Sequence, residues 1–278
     1  LVDIFCVILL IYSKRCYDFI RELYQSRQLI FILSKNDFKT KFAGSFFGIF
    51  WAFVQPVITI LIYWFVFSVG FRSGGIENCP FVLWLTAGLV PWFFFSDAWN
   101  GATGSLMEYS YLVKKVVFKI SVLPIVKVMS ALFVSLCFHL FMCILFMLHG
   151  FIPDLYWIQF PYYMVCNFAL VLSLSYITCS IIPFFKDLGQ IINIVLQVGV
   201  WMTPIMWNIE MIPMAWRWIM KINPMYYIVQ GYRNSLSMKQ WFWQDITWTI
   251  YFWGLMGALF ITGNIIFKRL RPHFADVL

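Results

Sequence analysis

VMSALFVSLCFHLFMCILFMLHGFIP (128–153) contains no Asp, Glu, Lys or Arg. It is longer than the ~20 residues a helix needs to cross the hydrocarbon core of a bilayer. Inside lipid every backbone amide must be satisfied within its own segment, so a run of this kind is a helix. Further uncharged, apolar-rich runs occupy 42–71, 78–96, 155–185, 188–209 and 246–267. Together they predict an all-α integral membrane protein with six transmembrane helices, near 43–69, 80–104, 122–148, 159–182, 188–209 and 246–267.

Composition agrees. The chain is 62% hydrophobic and 21% aromatic, with 12% charged residues, about half the ~25% of soluble domains. No single core in water could hide so much apolar surface. Residues 17–278 suffice for one six-span domain. Ahead of them, Val2 to Tyr12 is apolar, too short to span, and has no basic residue before it, so it makes a poor signal peptide. With Leu1 where Met is expected, residues 1–16 read as an N-terminal extension from a mis-called or non-standard start, to be left out of fold reasoning.

The basic residues are segregated. Lys14, Arg15, Arg21, Arg27, Lys35, Lys39 and Lys41 precede the first span. Lys114, Lys115, Lys119 and Lys127 follow the second, Lys186 lies between the fourth and fifth, and Lys268, Arg269 and Arg271 follow the sixth. The alternate gaps hold only Arg72, Arg217, Lys221, Arg233 and Lys239. The positive-inside rule places both termini in the cytoplasm. The net charge of +8 sits beside the membrane, where it attracts anionic headgroups, and does not indicate nucleic-acid binding.

Between the spans, residues 17–42 alternate charge with Phe19, Leu23, Leu29, Phe31, Leu33, Phe38 and Phe42, which suits an amphipathic helix in the cytoplasmic interface. Gly44 and Gly48, four apart, would let the first span approach a neighbour closely, and Pro56 predicts a kink in mid-span. The second span carries AGLVPWFFF (87–95), in which Pro91 interrupts the hydrogen-bond ladder. YLVKKVVFK (111–119) follows, with Leu112, Val116 and Val117 on an apolar stripe and the lysines off it. PFFKDLGQ (183–190) is a short cytoplasmic turn. Residues 208–245 are too interrupted to span and too rich in Trp for a solvated loop, so short helices dipping into the outer leaflet are expected there.

Chemistry-bearing residues are scarce. Asp97, Lys127 and His139 are the ionisable groups within spans, a class that is functional by default. Asp97 and Lys127 lie near enough to the cytoplasmic ends to snorkel, and His139 is alone, as a satisfied core histidine would be. The seven cysteines show no CxxC and no metal spacing, and no metal site is expected. Neither paired carboxylates nor a nucleophile–base pair is visible, so catalytic residues are not expected and an integral-membrane glycosyl or acyl transferase is disfavoured. GxxxxGK[ST], the loop that cradles nucleotide phosphates, is also missing, so energy for uphill transport would come from another chain.

DFKTKFAGSFFGIFWAFVQP (37–56) resembles the approach to the first span in ABC transporter permeases of the type-2 exporter family. AGLVPWFFF, then Ala102, Thr103, Ser105, Leu106 and LVKKVVF, is similar to that family's second span and first coupling helix. MTPIMW (202–207), Ile212-Pro213, NPMYYIVQGYRNSL (223–236) and RLRPHFADVL (269–278) match its later landmarks. The similarity runs from about 17 to 278 and is nearest to the permeases that export lipid-linked polysaccharide, such as O-antigen, teichoic acid or polyol phosphate polymers; the C-terminal motif leans toward O-antigen. Permeases of the same family for drugs or small lipids are the alternative. Two departures stand out: Lys119-Ile120 follow Phe118 where the family usually has Pro, and Thr203 precedes Pro204 where Ser is common.

The resemblance implies a non-enzymatic homodimer in the bacterial cytoplasmic membrane, with two copies of a separate ATPase that would carry the ATP and Mg; no cofactor is expected on this chain. It places ATPase coupling on the interfacial helix 27–42, on Tyr111, Leu112, Val113, Lys114, Lys115 and Lys119, and on the Lys186–Asp187 turn. Residues 208–232 would be a gate beside the channel mouth. Trp51, Trp92, Phe93, Trp99, Trp201 and Trp207 are candidate channel aromatics, because sugar C–H faces pack on aromatic rings; an interfacial belt or packing between helices accounts for the same rings.

Overall fold

The structure, a computed structural model, describes residues 23–43, 46–71, 79–115 and 118–278. The apolar stretch 2–12, the residues Lys14, Arg15, Phe19, Arg21, Gly44, Arg72, Val116 and Val117, and the proposed extension 1–16 lie outside them. Helices dominate, in keeping with the expected fold class. In chain order they are α1 (Arg27–Phe42), α2 (Phe50–Trp64, continued by a π-helical turn Phe65–Gly70), α3 (Phe81–Thr103), α4 (Ser105–Glu108), α5 (Ser110–Val113), α6 (Val122–Leu148), α7 (Phe160–Ile181, entered through a 3-10 turn Leu155–Gln159), α8 (Leu188–Met202), α9 (Arg217–Ile222), α10 (Pro224–Arg233), α11 (Ile246–Leu270) and α12 (Phe274–Val277).

Among the described residues, five helical segments are long and apolar enough to cross a membrane: Phe50–Gly70, Phe81–Thr103, Val122–Leu148, Leu155–Ile181 and the segment containing α11. The sixth apolar run differs from expectation. α8 has 15 residues, about 22 Å at 1.5 Å per residue, against a hydrocarbon core of ~30 Å. It stops because Pro204 disfavours helical geometry in the residue before it, and Thr203 is extended (φ −95°, ψ 126°).

The start of the first span is also shifted. Gly48 lies ahead of α2 with φ 51°, a left-handed conformation that glycine adopts without penalty. Pro56 therefore falls near the end of the second turn of α2, not in mid-span. α3 runs unbroken through Pro91 and is the central element, packed against α6, α7 and α10. Asn167 of α7 donates to the Pro91 carbonyl at 2.9 Å.

The segment after α8 folds back into the protein as α10, covered by α3 and α7, which is how irregular backbone is tolerated at membrane depth. Its start follows from the Asn-Pro pair. Asn223 caps the helix by accepting from the Met225 amide at 3.0 Å, and Pro224 occupies the first turn, where no amide partner is needed. The Asn223 amide group also donates to Thr203 Oγ1 at 2.8 Å, so the Ser-to-Thr departure retains the hydroxyl that this bond uses. Gly231 lets α10 touch α7: a Cβ there would lie 2.0 Å from the Tyr163 ring. His139 on α6 is satisfied, as expected, its Nε2 bonded to Tyr232 Oη at 2.7 Å and its Nδ1 2.6 Å from the Ser135 carbonyl.

Candidate functional site

The interfacial helix α1 is not held by an apolar stripe alone. Its buried positions are Ile30, Ser34 and Asp37, while Phe31 and Ile32 are exposed. It packs along α6 through the rings of Phe31 and Phe38 on Phe133, with centres 6.3 and 6.0 Å apart, and through charge. Asp37, 5% exposed, takes Lys127 at 2.7 Å, and Lys127 also reaches Glu108 at 2.6 Å. The Tyr109 hydroxyl donates to the same Asp37 oxygen at 2.5 Å, and the Lys127 ammonium stands 5.2 Å from the Tyr109 ring centre. Burial, and then the Asp37 carboxylate, push the Tyr109 phenol well above its usual range, so it donates throughout the physiological pH range. Lys127 thus does not snorkel: its side chain is only 12% exposed, and it joins α1, α4 and α6 through one ammonium group.

A second pair stands beside the first. Lys41, at the end of α1, meets both Asp97 oxygens on α3 at 2.7 and 2.8 Å, and both side chains are about half exposed. The two pairs lie at one end of a cavity of about 830 Å³ between α2, α3 and α6. Gln55, Thr59, Asn100, Ser130 and Ser135 line it with the rings of Trp51, Phe93 and Phe138. Further along, Phe53 and Phe138 pack with ring centres 5.4 Å apart.

The coupling segment is a broken helix. In α4 and α5 the buried residues are Ser105, Leu106 and Val113; Leu112 is half-buried, and Val116 and Val117 of the expected stripe lie outside the described residues. Val113 and Leu106 belong to a core cluster with Ile30, Ile120, Leu123 and Phe274, and Leu112 packs against it. Lys119 is half-buried and donates to Ser26 Oγ at 3.4 Å. Tyr111, Lys114 and Lys115 remain exposed, as do Lys186 and Asp187 in the turn before α8. α12 packs on α5, and its Phe274 meets Phe184 of the turn at 6.2 Å. The expected coupling elements therefore converge on one end of the bundle.

The candidate aromatics divide. Trp51 and Phe93 line the cavity. Trp92 and Trp99 are buried in the core, Trp92 against α8, where a Cβ on Gly199 would come within 2.9 Å of its ring. Trp201 is exposed and its carbonyl accepts from Trp207 Nε1 at 3.1 Å. Two residues had no distinguishing signal in the sequence. Ser130, 3% exposed, lines the cavity with an unpartnered hydroxyl. Arg233, 2% exposed, puts its guanidinium 3.3 Å from the centre of the Trp84 ring and donates to the carbonyls of Pro204 and Ile205, each at 2.9 Å. It pins the break after α8 to α3. A Cβ on Gly88 would lie 3.0 Å from that guanidinium, so glycine leaves it room. Among the described residues no His, Cys, Asp or Glu group could hold a metal ion, and Cys79, Cys137, Cys143, Cys166 and Cys179 are free thiols.

The described helices form an apolar bundle with a polar-lined cavity near one end. This chain belongs to the ABC-2 type transporter family, whose sequence model matches residues 28–237. It is similar to the O-antigen export system permease protein RfbA of Klebsiella pneumoniae, 26% identical over 251 residues that cover 90% of this chain and 95% of the relative. A second protein of that description from Klebsiella pneumoniae is 27% identical with the same coverage. The RfbA permease of Myxococcus xanthus is 31% identical over 216 residues, 77% of this chain and 82% of the relative.

Proposed function

We propose that this chain is the permease subunit of an ATP-driven exporter that moves lipid-linked, O-antigen-like polysaccharide from the cytoplasm across the bacterial inner membrane. The observation that carries this is similarity along nearly the full length of O-antigen export permeases. In this reading both termini are cytoplasmic, and ATP and Mg act on a separate ATPase. Two copies of that ATPase dock on the end of the bundle that exposes Tyr111, Lys114, Lys115, Lys186 and Asp187. The segment 208–232 gates the outer mouth of the path.

A second copy of the chain completes the translocation path. Its case rests on α8, a helix of about 22 Å with Ile191, Ile194, Val195, Val198 and Trp201 exposed. α2 is also largely uncovered. Trp51 and Trp201, exposed on these two helices, are the rings offered to the polymer.

Deleting the gene and locating the polymer tests the function. Lipid-linked polysaccharide accumulates in the cytoplasm if the proposal is right; unchanged surface polymer, with no redundant exporter present, rejects it. Docking has its own test. The double substitution Lys114→Glu, Lys115→Glu abolishes co-purification of the ATPase and leaves the thermal unfolding midpoint unchanged, because exposed substitutions of this kind alter stability by only about ±0.5 kcal/mol. Wild-type recovery of the ATPase with the double variant would remove these lysines from the interface.

A further inference from the structure

The cavity between α2, α3 and α6 has two chemically different ends. At one end stand Lys41 and Lys127 with Asp37, Asp97 and Glu108, two cations against three carboxylates. The other end is walled by Val90, Phe94, Val134 and Phe138. From Lys127 to Phe138 α6 rises about 16 Å, close to the ~15 Å that half of the hydrocarbon core provides. Ser130 lies one helical turn above Lys127, between the two ends. Its buried hydroxyl has no partner among the described residues, although groups so buried are nearly always hydrogen-bonded. That hydroxyl points to a polar ligand group at the depth where headgroup gives way to chain.

We propose that this cavity binds a zwitterionic glycerophospholipid with a primary-ammonium headgroup. The phosphate joins Asp97 at the Lys41 ammonium. The lipid ammonium turns toward Asp97 and the exposed Glu108. A glycerol ester carbonyl accepts from Ser130, and one acyl chain lies between α2, α3 and α6. Charge decides against anionic lipids and against a carrier diphosphate. Lys127 is already held by Asp37 and Glu108, and a further negative charge would enter a partly desolvated site that is negative on balance. The basic outer surface of the same end attracts anionic lipid, so the cavity and the surface have opposite preferences.

The test is native mass spectrometry of the delipidated full-length chain, titrated with palmitoyl-oleoyl phosphatidylethanolamine or with phosphatidylglycerol of the same chains. One phosphatidylethanolamine per chain is retained, with a preference of about tenfold or more, the size of one 1.4 kcal/mol step in binding. Asp97→Asn removes a carboxylate and releases Lys41, and takes the preference to parity or inverts it. Ser130→Ala weakens retention of both lipids without changing their ratio. Equal retention by the wild type, or a preference for phosphatidylglycerol, overturns the proposal. So does an unchanged ratio in Asp97→Asn. Displacement of the retained lipid by a neutral oligosaccharide overturns it too, and assigns the cavity to glycan. Should Asp97→Asn fail to fold, the wild-type ratio and Ser130→Ala still decide.

Discussion

Replacing Lys127 with Met destabilises the bundle by about 3 kcal/mol or more, the cost of removing one partner from a buried ion pair. The reason is local. Asp37 is 5% exposed, and without the ammonium its carboxylate keeps only the Tyr109 hydroxyl among its side-chain contacts described above. Glu108 is mostly exposed and regains water, so it contributes little to the loss. Asp37→Asn combined with Lys127→Met recovers most of the stability, because no buried charge is then left alone. Thermal or denaturant unfolding of the four proteins of the cycle, in one detergent, measures the coupling. An additive double variant would mean that the pair is not the link between α1 and α6. The same substitution tests transmission. If α1, α4 and α6 move together through Lys127, the double variant folds but its ATPase rate no longer responds to the permease.

Arg233→Met costs about 3–5 kcal/mol, as expected when a buried, hydrogen-bonded charge network is broken. The carbonyls of Pro204 and Ile205 lose their donors, and the face of Trp84 loses its cation. Arg233→Lys costs less, about 2 kcal/mol, since an ammonium is a point donor and cannot serve two carbonyls with the planar fork of arginine. The unfolding midpoint reads both effects. The location of the damage is read by labelling a cysteine placed at Ile205, which is fully buried in the wild type and becomes reactive when the turn after α8 is released. A lysine variant as stable as the wild type would show that charge alone, and not the fork, holds the turn.

Much of the fold is legible because burial in lipid leaves a plain trace. Long uncharged runs become helices, and five of the expected spans are long enough to cross a bilayer. The Asn-Pro pair at 223–224 announces a helix start, and Asn223 caps it. Other features follow from contacts that no local pattern encodes. Val113, off the apolar stripe read from the sequence, is buried in a cluster that Phe274 and Ile30, distant along the chain, help to build, and Leu112 packs against it. Lys127 sits near the end of its span, where a lysine normally reaches for water. It is kept inside because Asp37 is brought across from α1. Arg233 reads as one more charge in an outside segment, since its burial depends on the fold-back of α10 against α3.

By itself the sequence determined the solvent, the helical class and the segregation of charge to particular gaps, because each depends on the cost of placing a polar group in lipid, which is paid residue by residue. The partners of those charges were decided only by the tertiary structure. Asp37 with Lys127, Lys41 with Asp97 and Arg233 over Trp84 are pairings across long sequence separations. Their energies depend on distance and shared burial, and both are properties of the packed helices.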